Sequence, residues 1–173
     1  YKRQVLMDLK GAKKLLEHED KIVYSVFNIW KNCEEVKELS KKFGISVDLT
    51  LLRKGVFSVE KDGELFCTYG HIHEKPLGEI YYVLKNSCFI LLSDLKKENI
   101  IYKLEERSSI FIHPKYAHRL ISFKKDCLII GFVPFKAGHN YEIIKGKGFP
   151  VHLFLKEGKL EIRRNRNYSS LEY

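Results

Sequence analysis

The residues best suited to chemistry stand close together within residues 69–81. His71 and His73 are two residues apart, so on an extended strand both side chains point to the same face. Two imidazoles on one face can bind one cation, and Glu79 follows after a short connection, so the next strand can bring a carboxylate to the same ion. His118 begins a later apolar strand and can supply a fourth ligand. The spacing therefore predicts one divalent metal held by His71, His73, Glu79 and His118.

The other histidines carry weaker signals. A single histidine is more often a hydrogen-bonded structural residue than a ligand, and we interpret His18, His113 and His152 as structural or exposed. His139 differs because it lies in a predicted loop beside glycine and tyrosine, where substrate-binding residues are common. His139 is therefore a candidate substrate contact.

Short strands are the elements that must position these residues. Runs of β-branched and aromatic residues alternate with turn residues, which indicates an antiparallel sandwich or barrel. Tight turns are predicted at 61–64 and 156–159, since Asp-Gly and Glu-Gly pairs accept the positive φ angles of hairpins. The predicted strands are 22–28, 45–52, 56–60, 65–69, 79–84, 88–92, 100–104, 109–112, 117–123, 128–134, 151–155 and 160–163.

Helical periodicity appears only before residue 44. Apolar residues at helical spacing predict one helix over 31–43, with Gly44 in the left-handed position after its end. Asn32 and Glu35 are predicted to cap its start. A weaker helical pattern covers 11–19, and no linker or repeat interrupts the chain. We therefore expect a single domain over 1–173, with a barrel core over about 45–155.

Composition limits the possible partners and compartments. The net charge of +9 arises from scattered lysines and arginines apart from the cluster at 163–166, so we expect no nucleic-acid partner. No apolar run reaches the about 18 residues that a membrane helix needs, and no secretory signal is predicted. The four cysteines form no C-x-x-C pair, and three of them stand among apolar residues, as reduced core thiols do. These features predict a cytoplasmic protein.

Two segments of the chain resemble the motifs of the cupin fold. Gly70-His71-Ile72-His73 with Glu79-Ile80-Tyr81 is similar to the first cupin motif, and residues 114–119 are similar to the second. More narrowly, residues 19–24, 68–71, 137–141 and 147–150 resemble the cupin-type glucose-6-phosphate isomerases of archaea. The resemblance implies an all-β cupin jelly-roll β-barrel with one or two short N-terminal helices. It also implies a homodimer that interconverts glucose 6-phosphate and fructose 6-phosphate.

The resemblance also assigns roles to individual residues. It implies the same four metal ligands, with Fe²⁺ expected first and Mn²⁺, Ni²⁺, Co²⁺ or Zn²⁺ as alternatives. It implies substrate contacts from Tyr24, Thr50, Thr68, Gly70, Tyr81, His139 and Tyr141. Glu79, with His139 as a second catalytic residue, would carry a proton between C1 and C2 while the metal polarises the sugar oxygens. A metal-assisted hydride shift is the alternative mechanism.

The chain departs from the resembled family around the sugar pocket. Tyr116 stands where tryptophan is usual, and Val133 stands where tyrosine is frequent. Two other functions therefore stay open: a cupin dioxygenase or other oxidoreductase, which would consume oxygen, and a sugar-phosphate sensor without turnover.

Overall fold

The computed structural model describes residues 22–58 and 63–168, which form eleven strands and two short α-helices. The helical pattern at 11–19 and the first half of the turn at 61–64 lie outside the described residues. Within these ranges no helix is both long and apolar enough to cross a lipid bilayer. The elements are β1 Tyr24–Asn28, α1 Ile29–Asn32, α2 Glu34–Phe43, β2 Ile45–Leu52, β3 Gly63–Glu64, β4 Glu79–Lys85, β5 Cys88–Ser93, β6 Asn99–Leu104, β7 Ser109–Ile112, β8 Ala117–Ile121, β9 Cys127–Pro134, β10 Val151–Lys156 and β11 Lys159–Arg164, with 3-10 turns at Phe135–Ala137 and Arg166–Tyr168.

Two antiparallel sheets enclose the interior of an all-β barrel. One has five strands in the order β1-β2-β9-β4-β7, and the other has three in the order β6-β5-β8. The segment 65–72 extends the second sheet, because Cys67 bridges to Ile121 and His71 bridges to His118. A third sheet, β11-β10-β3, lies outside β8. The predicted strands therefore appear, except that 56–58 and 65–69 form isolated bridges rather than regular strands.

Strand alternation decides which side chains enter the barrel. On β4, Glu79 and Val83 are buried, whereas Ile80 between them is 44% exposed on the outer surface. On β9, alternate residues from Cys127 to Val133 are buried in the same way. Because side chains alternate across a strand, a polar residue at an inward position must find polar partners inside the barrel.

The predicted helix over 31–43 is interrupted near its start. Cys33 has an extended conformation with φ −122° and ψ 115°, and it separates α1 from α2. The predicted cap of Asn32 and Glu35 is wrong: Cys33 occupies the N-cap position, and Asn32 Nδ2 instead donates to the carbonyl of Asn28 at 2.7 Å. The prediction for Gly44 is confirmed, since it ends α2 with φ 67° and ψ 32°.

The hairpin of β10 and β11 has the predicted tight turn. Glu157 and Gly158 both have positive φ, at 48° and 76°, as a two-residue hairpin turn requires. The four cysteines are free thiols, and Cys67, Cys88 and Cys127 are buried. The predicted hairpin turn and the predicted burial of these three cysteines are therefore confirmed.

Candidate metal centre

Three separate segments bring the four predicted metal ligands together inside the barrel. His71 pairs with His118 across an antiparallel bridge, with N–H···O distances of 3.2 and 2.9 Å in the two directions. Glu79 is the first residue of β4 and points inward from the opposite sheet. The pairing register of β8 with residues 65–72 therefore places His71 and His118 side by side, facing Glu79.

The four ligand atoms lie within 4.8 Å of one another, close enough for one metal ion. Glu79 Oε2 is 3.1 Å from His118 Nε2, 3.4 Å from His73 Nε2 and 3.8 Å from His71 Nε2. Two ligand atoms about 2.1 Å from one ion are about 3.0 Å apart at a right angle and about 3.4 Å apart at the tetrahedral angle. The distances from Glu79 Oε2 to His118 Nε2 and to His73 Nε2 therefore match those between two ligands of one metal ion.

Unpartnered nitrogen atoms provide a separate test of the metal assignment. Among the described residues, Nε2 of His71 and Nε2 of His73 are buried and have no hydrogen-bond partner. Buried polar atoms without partners are costly, so such atoms call for an explanation. A metal ion bound by their lone pairs would supply the missing interaction, and imidazole nitrogens are suitable ligands for iron, zinc, copper or nickel.

A backbone carbonyl orients His73 for this role. His73 Nδ1 donates a proton to the carbonyl oxygen of Leu77 at 2.5 Å, which leaves the Nε2 lone pair directed at the centre. Burial alone would lower the pKa of His73, but the nearby carboxylate of Glu79 and the hydrogen bond to Leu77 outweigh it and raise that pKa. Leu77, in the loop between His73 and Glu79, therefore fixes which nitrogen of the His73 imidazole carries the proton.

The charges of the other ligands also suit a cation. Burial lowers the pKa of His71 well below its ordinary value, so this imidazole stays neutral. Burial pushes the pKa of Glu79 upward, but the hydrogen bond from His118 and the nearby imidazoles of His73 and His71 outweigh it and lower the pKa to about 2. A neutral imidazole beside an ionised carboxylate is the protonation state that metal binding requires.

Gly70 allows the segment carrying His71 to approach β8. Its φ of +82° is rare for other residues, and a Cβ here would lie 2.7 Å from the carbonyl oxygen of His118 and 2.8 Å from Cβ of Arg119. The backbone contact between His71 and His118 therefore depends on the missing side chain.

The predicted sugar contacts lie close to the four candidate ligands. The ring centroid of His139 is 4.3 Å from that of His71, and Tyr141 stacks on His139 at 6.1 Å. The ring centroid of Tyr81 lies 5.7 Å from that of His118. Burial, and to a smaller extent the negative charge of Glu79, raises the pKa of Tyr81 well above its ordinary value. The Tyr81 hydroxyl therefore keeps its proton.

The predicted phosphate contacts lie on three separate segments, β1, β2 and residues 65–72. Tyr24 is buried, and its hydroxyl accepts the N–H of Tyr69 at 3.4 Å. Thr68 Oγ1 accepts the N–H of Leu120 at 3.0 Å, so the hydroxyl proton of Thr68 stays available for donation. Thr50 lies on β2, two residues before buried Leu52 and on the same face of the strand.

Sequence analysis missed one acidic residue of the site. Asp48 pairs across the sheet with Gly131, which also pairs with Tyr81, so Asp48 and Tyr81 flank the glycine on one face. Asn28 Nδ2 donates to Asp48 Oδ1 at 2.6 Å. Burial raises the pKa of Asp48, and the charge of Glu79 raises it further. The alternation of β2, which puts Asp48 on the face of Thr50, was the signal that could have found it.

The comparisons with known sequences agree on one family. A family model described as glucose-6-phosphate isomerase (GPI) matches residues 3–170. A glucose-6-phosphate isomerase of Thermococcus litoralis is 30% identical over 169 residues, covering 92% of this chain and 83% of the relative. The enzyme of the same name from Pyrococcus furiosus is 29% identical over 161 residues, covering 92% of this chain and 79% of its own.

Solved structures support the barrel. A structure of oxalate oxidase matches with a TM-score of 0.50 and 13% identity, over 70% of this chain and 56% of its own. Vicilin from hazelnut, Corylus avellana, matches with a TM-score of 0.51 and 9% identity, over 71% of this chain and 33% of its own. At these identities the likeness shows the fold alone, and the predicted cupin barrel is confirmed.

Proposed function

Because the chain belongs to the family of cupin-type glucose-6-phosphate isomerases, we propose that it interconverts glucose 6-phosphate and fructose 6-phosphate with one divalent metal ion. The observation that carries the proposal is the inward cluster of His71, His73, Glu79 and His118, with its unpartnered Nε2 atoms. We propose these four as the metal ligands and Fe²⁺ as the metal.

The substrate would enter the barrel from the side of His139 and Tyr141. We propose that Tyr24, Thr50, Thr68 and the backbone of Gly70 bind the phosphate, since hydroxyl and N–H groups donate to phosphate oxygens. Tyr81, His139 and Tyr141 would contact the sugar near the metal ligands. A bound divalent ion supplies polarisation of the sugar carbonyl and stabilisation of the negative charge that develops on its oxygen.

Glu79 is our proposed base, although binding a metal weakens the basicity of a carboxylate. Its two oxygens face different ways: Oε2 faces the histidines, whereas Oε1 lies 3.0 Å from where a Cβ of Gly131 would be. Oε2 can therefore serve as the ligand while Oε1, on the side of Tyr81 and Asp48, moves the proton between C1 and C2. His139 is exposed at the edge of the site, where partial desolvation lowers its pKa, and it would assist at the sugar oxygens.

One assay tests this function directly. The chain loaded with Fe²⁺, and separately with Mn²⁺, Ni²⁺, Co²⁺ or Zn²⁺, is incubated with fructose 6-phosphate while glucose 6-phosphate is measured. We expect turnover with at least one of these metals. Binding of fructose 6-phosphate without turnover by any loaded form would contradict an isomerase and indicate a sensor, and oxygen uptake would indicate an oxidoreductase. Mannose 6-phosphate as a parallel substrate tests the sugar preference.

We further propose that the chain forms a homodimer through the outer face of the five-stranded sheet. Ile80 lies directly across from Phe111 on one side and Phe132 on the other, and these side chains are 44, 61 and 38% exposed. Such an exposed apolar row is typical of an interface. Light scattering should give a dimer mass for the unmodified chain and a monomer mass for Phe111→Lys. Leu160→Lys, on exposed β11, is the control, and a monomeric unmodified chain would refute the proposal.

The cytoplasm is our proposed compartment. The free thiols of Cys67, Cys88 and Cys127 suit a reducing environment, in which disulfides are rare. Fractionation of cells that express the native protein checks the assignment, and recovery outside the cytoplasm would contradict it.

A further inference from the structure

A cavity lies outside the barrel, on the opposite face of β8 from the proposed metal ligands. It has a volume of about 730 Å³ and is bounded by β8, by residues 144–149 and by the β10–β11 hairpin. His118 and Arg119 are neighbours in β8, so alternation sends His118 into the barrel and Arg119 into this cavity. The two sites are therefore placed back to back on one strand.

The cavity wall carries a large excess of positive charge. Among the described residues that line it, five are cationic and one is a carboxylate, Glu64. The cationic residues are Arg119, Lys147, Arg163, Arg164 and Arg166. A concave surface of one charge sign concentrates ions of the opposite sign, so an anion is the expected ligand.

Arg119 is the buried charge at the base of the cavity. Its side chain is 3% exposed, and its guanidinium lies 4.9 Å from the ring of Phe149. Nη2 donates to Glu64 Oε1 at 3.3 Å, but the buried Nε has no partner among the described residues. A guanidinium has five N–H donors, so one 3.3 Å bond leaves most of its capacity unused.

Glu64 offsets only one of the five positive charges that line the cavity, and its carboxylate also accepts a hydrogen bond from His152. His152 Nδ1 is 2.6 Å from Glu64 Oε1, a distance at which the Nδ1 proton is donated to the carboxylate. Arg119 Nη2 is 3.3 Å from the same Nδ1, and since both nitrogens are then donors, this is a contact rather than a hydrogen bond. The other ring nitrogen of His152 is left for a ligand or water.

Aromatic rings hold two of the outer cations at the wall. Lys147 Nζ lies 4.1 Å from the ring centroid of Tyr168, and the guanidinium of Arg163 lies 4.2 Å from that of Phe154. Arg163 also pairs with Glu161, but both side chains are exposed, so this pair is weak and exchangeable. Cations already positioned in this way lose less entropy when they bind an anion.

We propose that this cavity binds a small phosphorylated molecule with two phosphate groups, at a site separate from the barrel. Arginine forks match phosphate oxygens bidentately, and the excess of cations exceeds what a single phosphate would neutralise. The volume lies within the about 300–1,000 Å³ range of small-molecule sites, and the aromatic walls can contact a sugar or a base. The depth at which Arg119 is buried favours a small ligand over a nucleic-acid strand, whose backbone would contact only the outer arginines.

Calorimetric titration of the metal-loaded chain tests this site. The probes are fructose 1,6-bisphosphate and adenosine 3′,5′-bisphosphate, which distinguish a sugar source of the phosphates from a nucleoside source. We expect one of them to bind below about 1 mM and the double variant Arg163→Gln/Arg166→Gln to weaken that binding about tenfold or more. Lys156→Gln/Lys159→Gln removes the same charge from the same hairpin outside the cavity, so it should bind as the unmodified chain does.

A barrel variant separates this site from the proposed substrate site. Thr50→Val alters the barrel and leaves the cavity intact, so binding of the better probe should persist in it. Binding lost in Thr50→Val and kept in the arginine double variant would overturn the proposal, as would no binding of either probe. Tighter binding of a short single-stranded oligonucleotide than of both probes, abolished by the same double variant, would also overturn it in favour of a nucleic-acid surface. Failure of the isomerase assay leaves these binding results unaffected.

Discussion

Replacing Glu79 by Gln should lower kcat about 10²- to 10⁴-fold, the range that a general base contributes. The variant keeps the size of the side chain and one carbonyl oxygen, but an amide cannot accept a proton from carbon. Oε2 lies 3.1 Å from His118 Nε2, so a glutamine oxygen at this position would still reach the metal. The measurement is kcat for fructose 6-phosphate, together with metal content per chain.

Metal content decides how the loss of activity is interpreted. A large loss with about one metal per chain retained supports Glu79 as the base, whereas loss of metal shows only that it is a ligand. Glu38→Gln, at an exposed position on α2, is the matched control and should leave both quantities unchanged. Near wild-type turnover of Glu79→Gln would refute the assignment of the base.

Solvent exchange then distinguishes the two mechanisms. A proton carried by Glu79 can exchange with solvent during turnover, so fructose 6-phosphate converted in deuterated water should acquire deuterium at the exchanging carbon. A hydride shift transfers hydrogen directly between the carbons and excludes solvent deuterium. Absence of deuterium in the product of the unmodified enzyme would therefore favour the hydride shift.

Removing the metal should abolish isomerase activity and lower the melting temperature by about 5–11 °C. A ligand present at a hundred times its dissociation constant stabilises the native state by about 2.7 kcal/mol, and each kcal/mol shifts the melting temperature of a domain of this size by about 2–4 °C. Without the ion, the buried Nε2 atoms of His71 and His73 have no partner, and this lowers the stability of the folded chain. Calorimetry before and after chelation, then after Fe²⁺ is restored, measures the effect.

A ligand variant provides the control for chelation. His118→Ala should bind metal weakly and show a melting temperature that hardly responds to chelator or added Fe²⁺. His113→Ala removes an exposed histidine five residues away and should behave as the unmodified chain does. A melting temperature of the unmodified chain that does not respond to chelator or metal would contradict the proposed centre.

The candidate metal ligands within residues 71–79 were predictable because their signal is local. Residues two apart on a strand share a face, so His71 and His73 could be paired from spacing, and the short connection to Glu79 follows the same reasoning. The strands themselves were predicted well for the same reason, since alternation and turn residues are properties of a few neighbouring positions. Where the local signal is ambiguous, as at Cys33, the sequence predicted one helix and the structure has two.

Contacts between distant strands could be decided only by the tertiary structure. Asp48 enters the site because β2 pairs with β9 in a register that sets it opposite Gly131. His152 was interpreted as a structural or exposed residue, and the structure agrees, but only the tertiary structure identifies its partner, Glu64, 2.6 Å away and 88 positions distant in the sequence. The sequence by itself determined the candidate ligands His71, His73 and Glu79 and most of the strands, because spacing and alternation are local, whereas the meeting of these three residues with His118 depends on the pairing of β8. Only the packing of β8 between the barrel and the outer hairpin created the basic cavity, since strand register and sheet stacking depend on long-range contacts that neighbouring residues do not specify.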